Sequence, residues 1–234
     1  MAAPPGKQVQ LMFGEIAERY DFLNSFLSFG IDRYWRRAVI RASDCMPEQD
    51  VLDLCCGTGD LAIEFAHCAA NTVGADFTYE MIARAPLKAA NKGVSIDWLQ
   101  ADAQCLPFQD RSFDIVSIAF GIRNVENIEQ AIQECRRVLK PNGRLLILEF
   151  FPIKNRIWRF LFRLYFLRVL PLIAAVVRAG RTGAYTYLPT SVDEFYSAAA
   201  FSKLLVANGF ELHHDKSLTG GVARLFVANK SLNE

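Results

Sequence analysis

The chain has 234 residues, enough for one domain with additions and a large core. Its composition is 52% apolar, and a net charge of +1 gives no bulk electrostatic argument for a nucleic-acid partner. Six cysteines without a C-x-x-C pair argue against a zinc site and read as reduced thiols of a cytoplasmic protein.

In chain order, residues 1–10 read as disordered, without a signal-peptide core. Val9–Arg41 reads as two helices around a Ser28-Phe29-Gly30 break, the first carrying Met12, Phe13, Ile16 and Tyr20 at helical spacing. Val51–Cys55 is an apolar strand that runs into Gly57-Thr58-Gly59 and then a helical stretch, Leu61–Ala66. A buried strand feeding a glycine turn and a helix N-terminus is how α/β sheets seat adenosine cofactors. The alternative is a tight turn with no ligand. Asp76 closes a second strand, Thr72–Ala75, where an acid can accept hydrogen bonds from both ribose hydroxyls; its alternative is a cap for the Thr78–Ala83 segment.

Glu80–Ala90 reads as a helix, with Pro86 set against a long regular one. Val94–Leu99 is a third strand and leads to Asp102-Ala103. Asp114–Ala119 is a fourth and leads to Arg123-Asn124. Ile128–Leu139 is a helix closed by Lys140-Pro141-Asn142-Gly143, and Arg144–Phe150 is a fifth strand. This alternation predicts a parallel sheet with helices on both faces.

After Phe151 the pattern changes. Ile153–Arg178 is aromatic and aliphatic, with Arg156, Arg159 and Arg163 at spacings of three and four on one helical face and Pro171 to kink or end the helix. A basic face beside a broad apolar one fits an interfacial helix in peripheral contact with a membrane. The bland alternatives are a cap packed on the sheet or a homodimer interface. The uncharged run at 169–177 is far short of the roughly 20 residues that a spanning helix needs. Ser197–Asn208 is a helix, and Phe210–Asp215 and Ala223–Asn229 are strands joined through residues 217–221. The chain thus divides into N-terminal helices (1–45), a cofactor-binding core (46–151), an apolar cap (152–196), and a terminal helix with a strand pair (197–234).

Several motifs now agree. They include Met12-Phe13, Ile16-Ala17, Tyr20-Asp21, Asn24, Ser28, Gly30 and Trp35-Arg36-Arg37, then LDLCCGTGDL at 52–61 and Phe120-Gly121-Ile122-Arg123-Asn124-Val125. RVLKPNGRLLILEF at 137–150, Tyr185-Thr186-Tyr187-Leu188-Pro189 and Leu218-Thr219-Gly220-Gly221 complete the set. On these stretches the chain resembles the class I S-adenosylmethionine-dependent methyltransferases, and among them the family that C-methylates the quinol ring of menaquinone, phylloquinone or ubiquinone precursors. The resemblance runs from about Val9 to Lys230, and Cys55-Cys56 before the glycine turn is more like the naphthoquinone members. Two positions depart from the family: Ala119 stands where some members have a cofactor-contacting serine, and Phe226 where many have a histidine.

The resemblance implies an α/β class I fold, Rossmann-like, with a mostly parallel seven-stranded sheet, an N-terminal helical lid and an apolar insertion. It implies S-adenosyl-L-methionine as cofactor, no metal, and a prenylated quinol as substrate, with demethylmenaquinol first. Gly57, Thr58 and Gly59 are expected to line the cofactor's amino-acid and ribose side, Asp76 to hold the ribose, and Asp102 and Ala103 to meet the adenine. Arg123, whose guanidinium is permanently charged, suits stabilising a phenolate or ordering a water rather than acting as the base, its alternative being a structural salt bridge. Asn124 is expected to position the quinol oxygen, its alternative being a helix cap before Glu126, and Tyr187 to bond that oxygen, its alternative being core packing. The proton acceptor is left to water, Asp21 or Asp32. His67, His213 and His214 are given no role, the last two being expected on opposite strand faces. Rival readings are a benzoquinol or other lipophilic acceptor, a non-catalytic cofactor-binding protein, and a nicotinamide dehydrogenase, the last weakened because the turn reads C-C-G-T-G rather than G-x-G-x-x-G.

Overall fold

The computed structural model describes residues 10–11, 13–14, 17, 28, 30–68, 70–153, 156–164 and 184–231; at 161–163, 184–186 and 188–189 it describes the helical backbone alone. The expected roles of Met12, Ile16, Tyr20, Asp21, Asn24 and Pro171 lie outside the described residues.

Seven strands form one sheet: β1 (Asp50–Leu54), β2 (Asn71–Asp76), β3 (Asp97–Gln100), β4 (Phe113–Ala119), β5 (Leu139–Phe150), β6 (Phe210–Leu218) and β7 (Ala223–Lys230). Their order is β3-β2-β1-β4-β5-β7-β6, with β1 to β5 parallel and β7 antiparallel to both β5 and β6. The central strands are apolar on both sides because helices cover both faces. Leu52, Leu54, Val116, Ile118 and Ile147 point into one buried cluster. Val51, Ile115, Leu146 and Leu148 point into the other.

Helix α1 (Ile31–Ser43) follows Gly30, whose left-handed φ of 75° starts it. Trp35 and Val39, one turn apart, bury its inner face against Leu61 and Phe65 of α2 (Asp60–Ala66). The expected helix over Glu80–Ala90 is two, α3 (Tyr79–Ile82) and α4 (Ala85–Ala90), with Pro86 in the first turn of α4, where its missing N–H costs nothing. Helix α5 (Ile128–Val138) is capped by the Asn127 side chain, which accepts from the Gln130 amide at 3.1 Å. Three more helices follow: α6 (Arg156–Leu164), α7 (Ala184–Glu194) and α8 (Ala198–Ala207).

One expectation needs correction. The Lys140-Pro141-Asn142-Gly143 stop lies within β5: Leu139 pairs with Phe113, the register shifts, and pairing resumes at Arg144 with Ile115. Lys140 stabilises this detour, its ammonium lying 2.7 Å from both Asp50 and Asp114 carboxylates. In β6, an edge strand, the register also shifts between Leu212 and His214, and both His213 and His214 are exposed.

Candidate functional site

Parallel strands deliver their C-terminal ends to one edge of the sheet, and the chain order reverses between β1 and β4. Open α/β sheets bind ligands at such a switch point. A cavity of about 410 Å³ lies there, walled by residues that follow β1 (Cys55, Gly57), β2 (Asp76, Phe77, Thr78), β3 (Ala101–Gln104) and β4 (Phe120, Gly121, Asn124–Glu126), with Phe13 from the N-terminal segment. Two non-glycine wall residues, Cys55 (φ 56°) and Phe120 (φ 58°), hold left-handed backbone. Such strain collects at functional sites. Gly121 permits their approach, because a Cβ there would sit 2.3 Å from the Cys55 Cβ.

Asp76 joins the walls. Its Oδ2 accepts from the Gly57 amide and its Oδ1 from the Thr78 amide, both at 2.8 Å. Burial pushes this carboxyl above the usual range, and those amides hold it down. The Thr78 side chain and the Phe77 backbone also bond it, and a carboxylate of this kind is an acceptor of the sort a diol needs. Asp102 Oδ1 accepts from the Gln104 amide at 2.9 Å, and Ala103 beside it offers only a methyl.

The structure thus brings Gly57, Asp76, Asp102, Ala103 and Asn124 to one cavity. It places the other expected residues just behind it. The buried Thr58 accepts from Lys88 Nζ at 3.0 Å through its hydroxyl. Gly59 (φ 87°) faces Trp98, whose ring a Cβ would meet at 2.3 Å. Arg123 is buried: its guanidinium pairs with Glu149, donates to the Phe120 carbonyl at 3.1 Å and to Ser191 Oγ at 3.3 Å, and lies over the Phe150 ring. Tyr187 donates its hydroxyl to Asn124 Oδ1 at 2.9 Å. Asp32 is taken by Ser28 (2.7 Å) and Arg36 (2.9 Å) and is not a wall residue. The three histidines are exposed. Ala119 is a wall residue, while Phe226 is core, packed on Phe151 and Phe201.

Sequence reasoning missed Glu149 and Asp53. Glu149 is fully buried at the end of β5, and accepts from the Phe150 amide at 2.8 Å as well as from Arg123. Burial raises its carboxyl above the ordinary range, while the Arg123 guanidinium pulls the other way. Asp53 lies inside β1. Burial lifts it to about 7 against the Ser117 hydroxyl, which donates to its Oδ1 at 2.7 Å, and the Ala62 amide. Both were visible as lone acids in apolar strands, the usual mark of a buried charge with a task.

Among the described residues, the buried side-chain atoms without a hydrogen-bond partner are Arg36 Nε, a donor, and Asp53 Oδ2, an acceptor. Neither residue is a cavity wall residue; within the cavity the Asp76 carboxylate and the small Ala103 fit an adenosine cofactor. Among the described residues no three potential ligands gather for a metal ion.

A profile of the ubiE/COQ5 methyltransferase family matches residues 2–230. A demethylmenaquinone methyltransferase from Thermus thermophilus is 46% identical over 222 residues, covering 94% of this chain and 100% of that protein. A ubiquinone/menaquinone biosynthesis C-methyltransferase from Geotalea daltonii is 42% identical over 232 residues, covering 96% and 97%. Among solved structures, a SAM-dependent methyltransferase from Aquifex aeolicus superposes with a TM-score of 0.62 at 16% identity, covering 83% of this chain and 89% of that one, a likeness of fold alone.

Proposed function

The chain belongs to the ubiE/COQ5 methyltransferase family, and we propose that it is the S-adenosylmethionine-dependent enzyme that C-methylates a prenylated quinol ring, with demethylmenaquinol as the acceptor. The observation that carries this reading is the shared cavity, which Asp76, Asp102, Ala103 and Asn124 line together.

When bound, S-adenosylmethionine supplies a methyl group on a sulfonium, whose carbon–sulfur bond breaks with its electron pair going to sulfur as the new carbon–carbon bond forms. The residues do the rest. Asp76 takes the ribose hydroxyls, Asp102 the exocyclic amine of adenine, and Ala103 leaves room for the ring. Gly57 lets the backbone come close to the ligand, while Thr58 and Gly59 hold the turn through Lys88 and Trp98. Asn124 meets the quinol oxygen. A reduced ring is electron-rich, and ionising its hydroxyl sends charge to the ortho carbon that takes the methyl group; the hydrogen on that carbon then leaves as a proton to solvent, which restores the aromatic ring. Arg123 acts from behind the wall, as a charge that fixes the turn carrying Asn124. Phe120, Phe77 and Phe13 exclude water and so strengthen each polar contact.

Supplying labelled S-adenosylmethionine with reduced demethylnaphthoquinol or the matching benzoquinol tests the ring. The proposal expects label in the naphthoquinol; label in the benzoquinol alone would contradict it.

The finer partner is a lipid surface. On α6, Ile157, Phe160 and Leu164 are exposed together with Arg156 and Arg159, and among the described residues no helix is long and apolar enough to cross a membrane. Apolar side chains beside arginines fit an interface with anionic headgroups, near which a prenyl tail resides. Phe160→Asp is expected to release the protein from anionic vesicles in flotation. A variant that still floats, or wild type that forms a light-scattering dimer and ignores vesicles, would assign this face to a second copy.

A further inference from the structure

Helix α7 grips the catalytic turn twice. Tyr187 and Ser191 are one helical turn apart and share a face. Tyr187 meets Asn124 Oδ1 at 2.9 Å, and Ser191 Oγ accepts from Arg123 Nε at 3.3 Å, so two consecutive turn residues are held by one side of one helix. On the far side Glu149 holds Arg123 from β5. Asn124 is the member of this group that reaches the cavity.

An amide has one accepting and one donating end. With its carbonyl bonded to the Tyr187 hydroxyl, Asn124 presents N–H to the cavity. A donor there favours a ring oxygen that is anionic over one that is protonated, because charge-assisted bonds are about twice as strong as neutral ones. We infer that Tyr187 and Ser191 are positioning residues that lock Asn124 in its donor orientation, so that α7 sets the pH at which the bound quinol ionises. The inference rests on the quinol methylation proposed above. In the opposite orientation, with the amide nitrogen donating to Tyr187, the carbonyl would face the cavity and favour the protonated ring.

Other titratable groups share this surrounding. Cys55, Asp76, Asp102 and Glu126 line the same cavity, and Arg123, Glu149 and Glu194 act on Tyr187. Tyr187→Phe keeps the ring and leaves all of them in place. The experiment is the pH profile of kcat for methylation of reduced demethylnaphthoquinol by the full chain, with S-adenosylhomocysteine binding and thermal midpoint measured alongside. For Tyr187→Phe the expected result is a rising limb moved about one unit to higher pH. Turnover at pH 7 should fall about tenfold, with S-adenosylhomocysteine affinity unchanged. Ser191→Ala should move the limb the same way by less, and Ser191→Thr should restore it. An unmoved profile would overturn the inference whatever the thermal midpoint, and a limb moved to lower pH would establish the opposite amide orientation. Wild type inert toward every quinol while still binding S-adenosylhomocysteine would overturn the function reading and this inference with it.

Discussion

In the proposed function cofactor binding turns on Asp76, which two backbone amides tie into the cavity wall. Asp76→Ala is expected to weaken S-adenosylhomocysteine binding at least tenfold, about 1.4 kcal/mol, by calorimetry; unchanged affinity would remove it from the cradle. Glu149 is a different case, since its loss leaves a buried guanidinium unpaired. Glu149→Ala is expected to cost about 3–5 kcal/mol in denaturant unfolding, and a loss below about 1 kcal/mol would mean that Arg123 finds water. Both charges were legible singly, Arg123 in F-G-I-R-N-V and Glu149 in L-L-I-L-E-F. Their pairing was not, because it joins the ends of two strands that become neighbours only in the folded sheet. Asp53 adds a pH signature. Its folded carboxyl holds a proton up to about pH 7, against the ordinary 3.8, so folding binds that proton between those values and stability falls as pH rises through the window. Asp53→Asn removes the ionisation, and its unfolding free energy relative to wild type should improve by about 2–3 kcal/mol from pH 5 to pH 8. A constant difference would show that Asp53 ionises normally.

At the scale of elements, the tightest packing surrounds the glycine turn. Trp98 on β3 lies across both Gly59 and Gly74, and a Cβ on Gly74 would meet its ring at 2.4 Å. Gly74 has no left-handed backbone to protect, so Gly74→Ala reports sterics alone. It is expected to cost about 1–3 kcal/mol, and to cost clearly less in a Trp98→Leu background, as a double-mutant cycle would measure. Additive effects would mean that the sheet yields at little cost. None of this was readable from the spacing of the glycines, which shows where backbone can turn but not which side chain presses on it. The break between α3 and α4 was legible through Pro86, because proline acts locally. The course of β5 through Pro141–Gly143 was not, since the two acids that hold Lys140 sit on other strands. The same holds for Thr219-Gly220-Gly221: Trp35 Nε1 donates to Thr219 Oγ1 at 2.8 Å, and Trp158 of α6 lies against Gly220, so the motif pins the N-terminal helix and the cap to the sheet.

Over the whole molecule, alternating strand and helix periodicity made the α/β class legible, and each of the five parallel strands overlaps its apolar run, although β3 begins at Asp97 rather than Val94 and β5 at Leu139 rather than Arg144. The order of the strands was not in the periodicity; the family resemblance implied a mostly parallel seven-stranded sheet, and the order is a property of the folded structure. The topology then does the work of placement, carrying residues 57, 76, 102 and 124 from the ends of four strands to one edge, where the proposed function seats a ribose, an adenine and a quinol ring. In the proposed function this edge joins an activated methyl group to an electron-rich ring. Mass spectrometry of the ring product formed with trideuteromethyl S-adenosylmethionine, run with reduced demethylnaphthoquinol and with its oxidised quinone, decides the matter. A single labelled methyl is expected on a ring carbon of the quinol and none on the quinone. Equal labelling of both, label on oxygen, or no label from a protein that binds S-adenosylhomocysteine would contradict it.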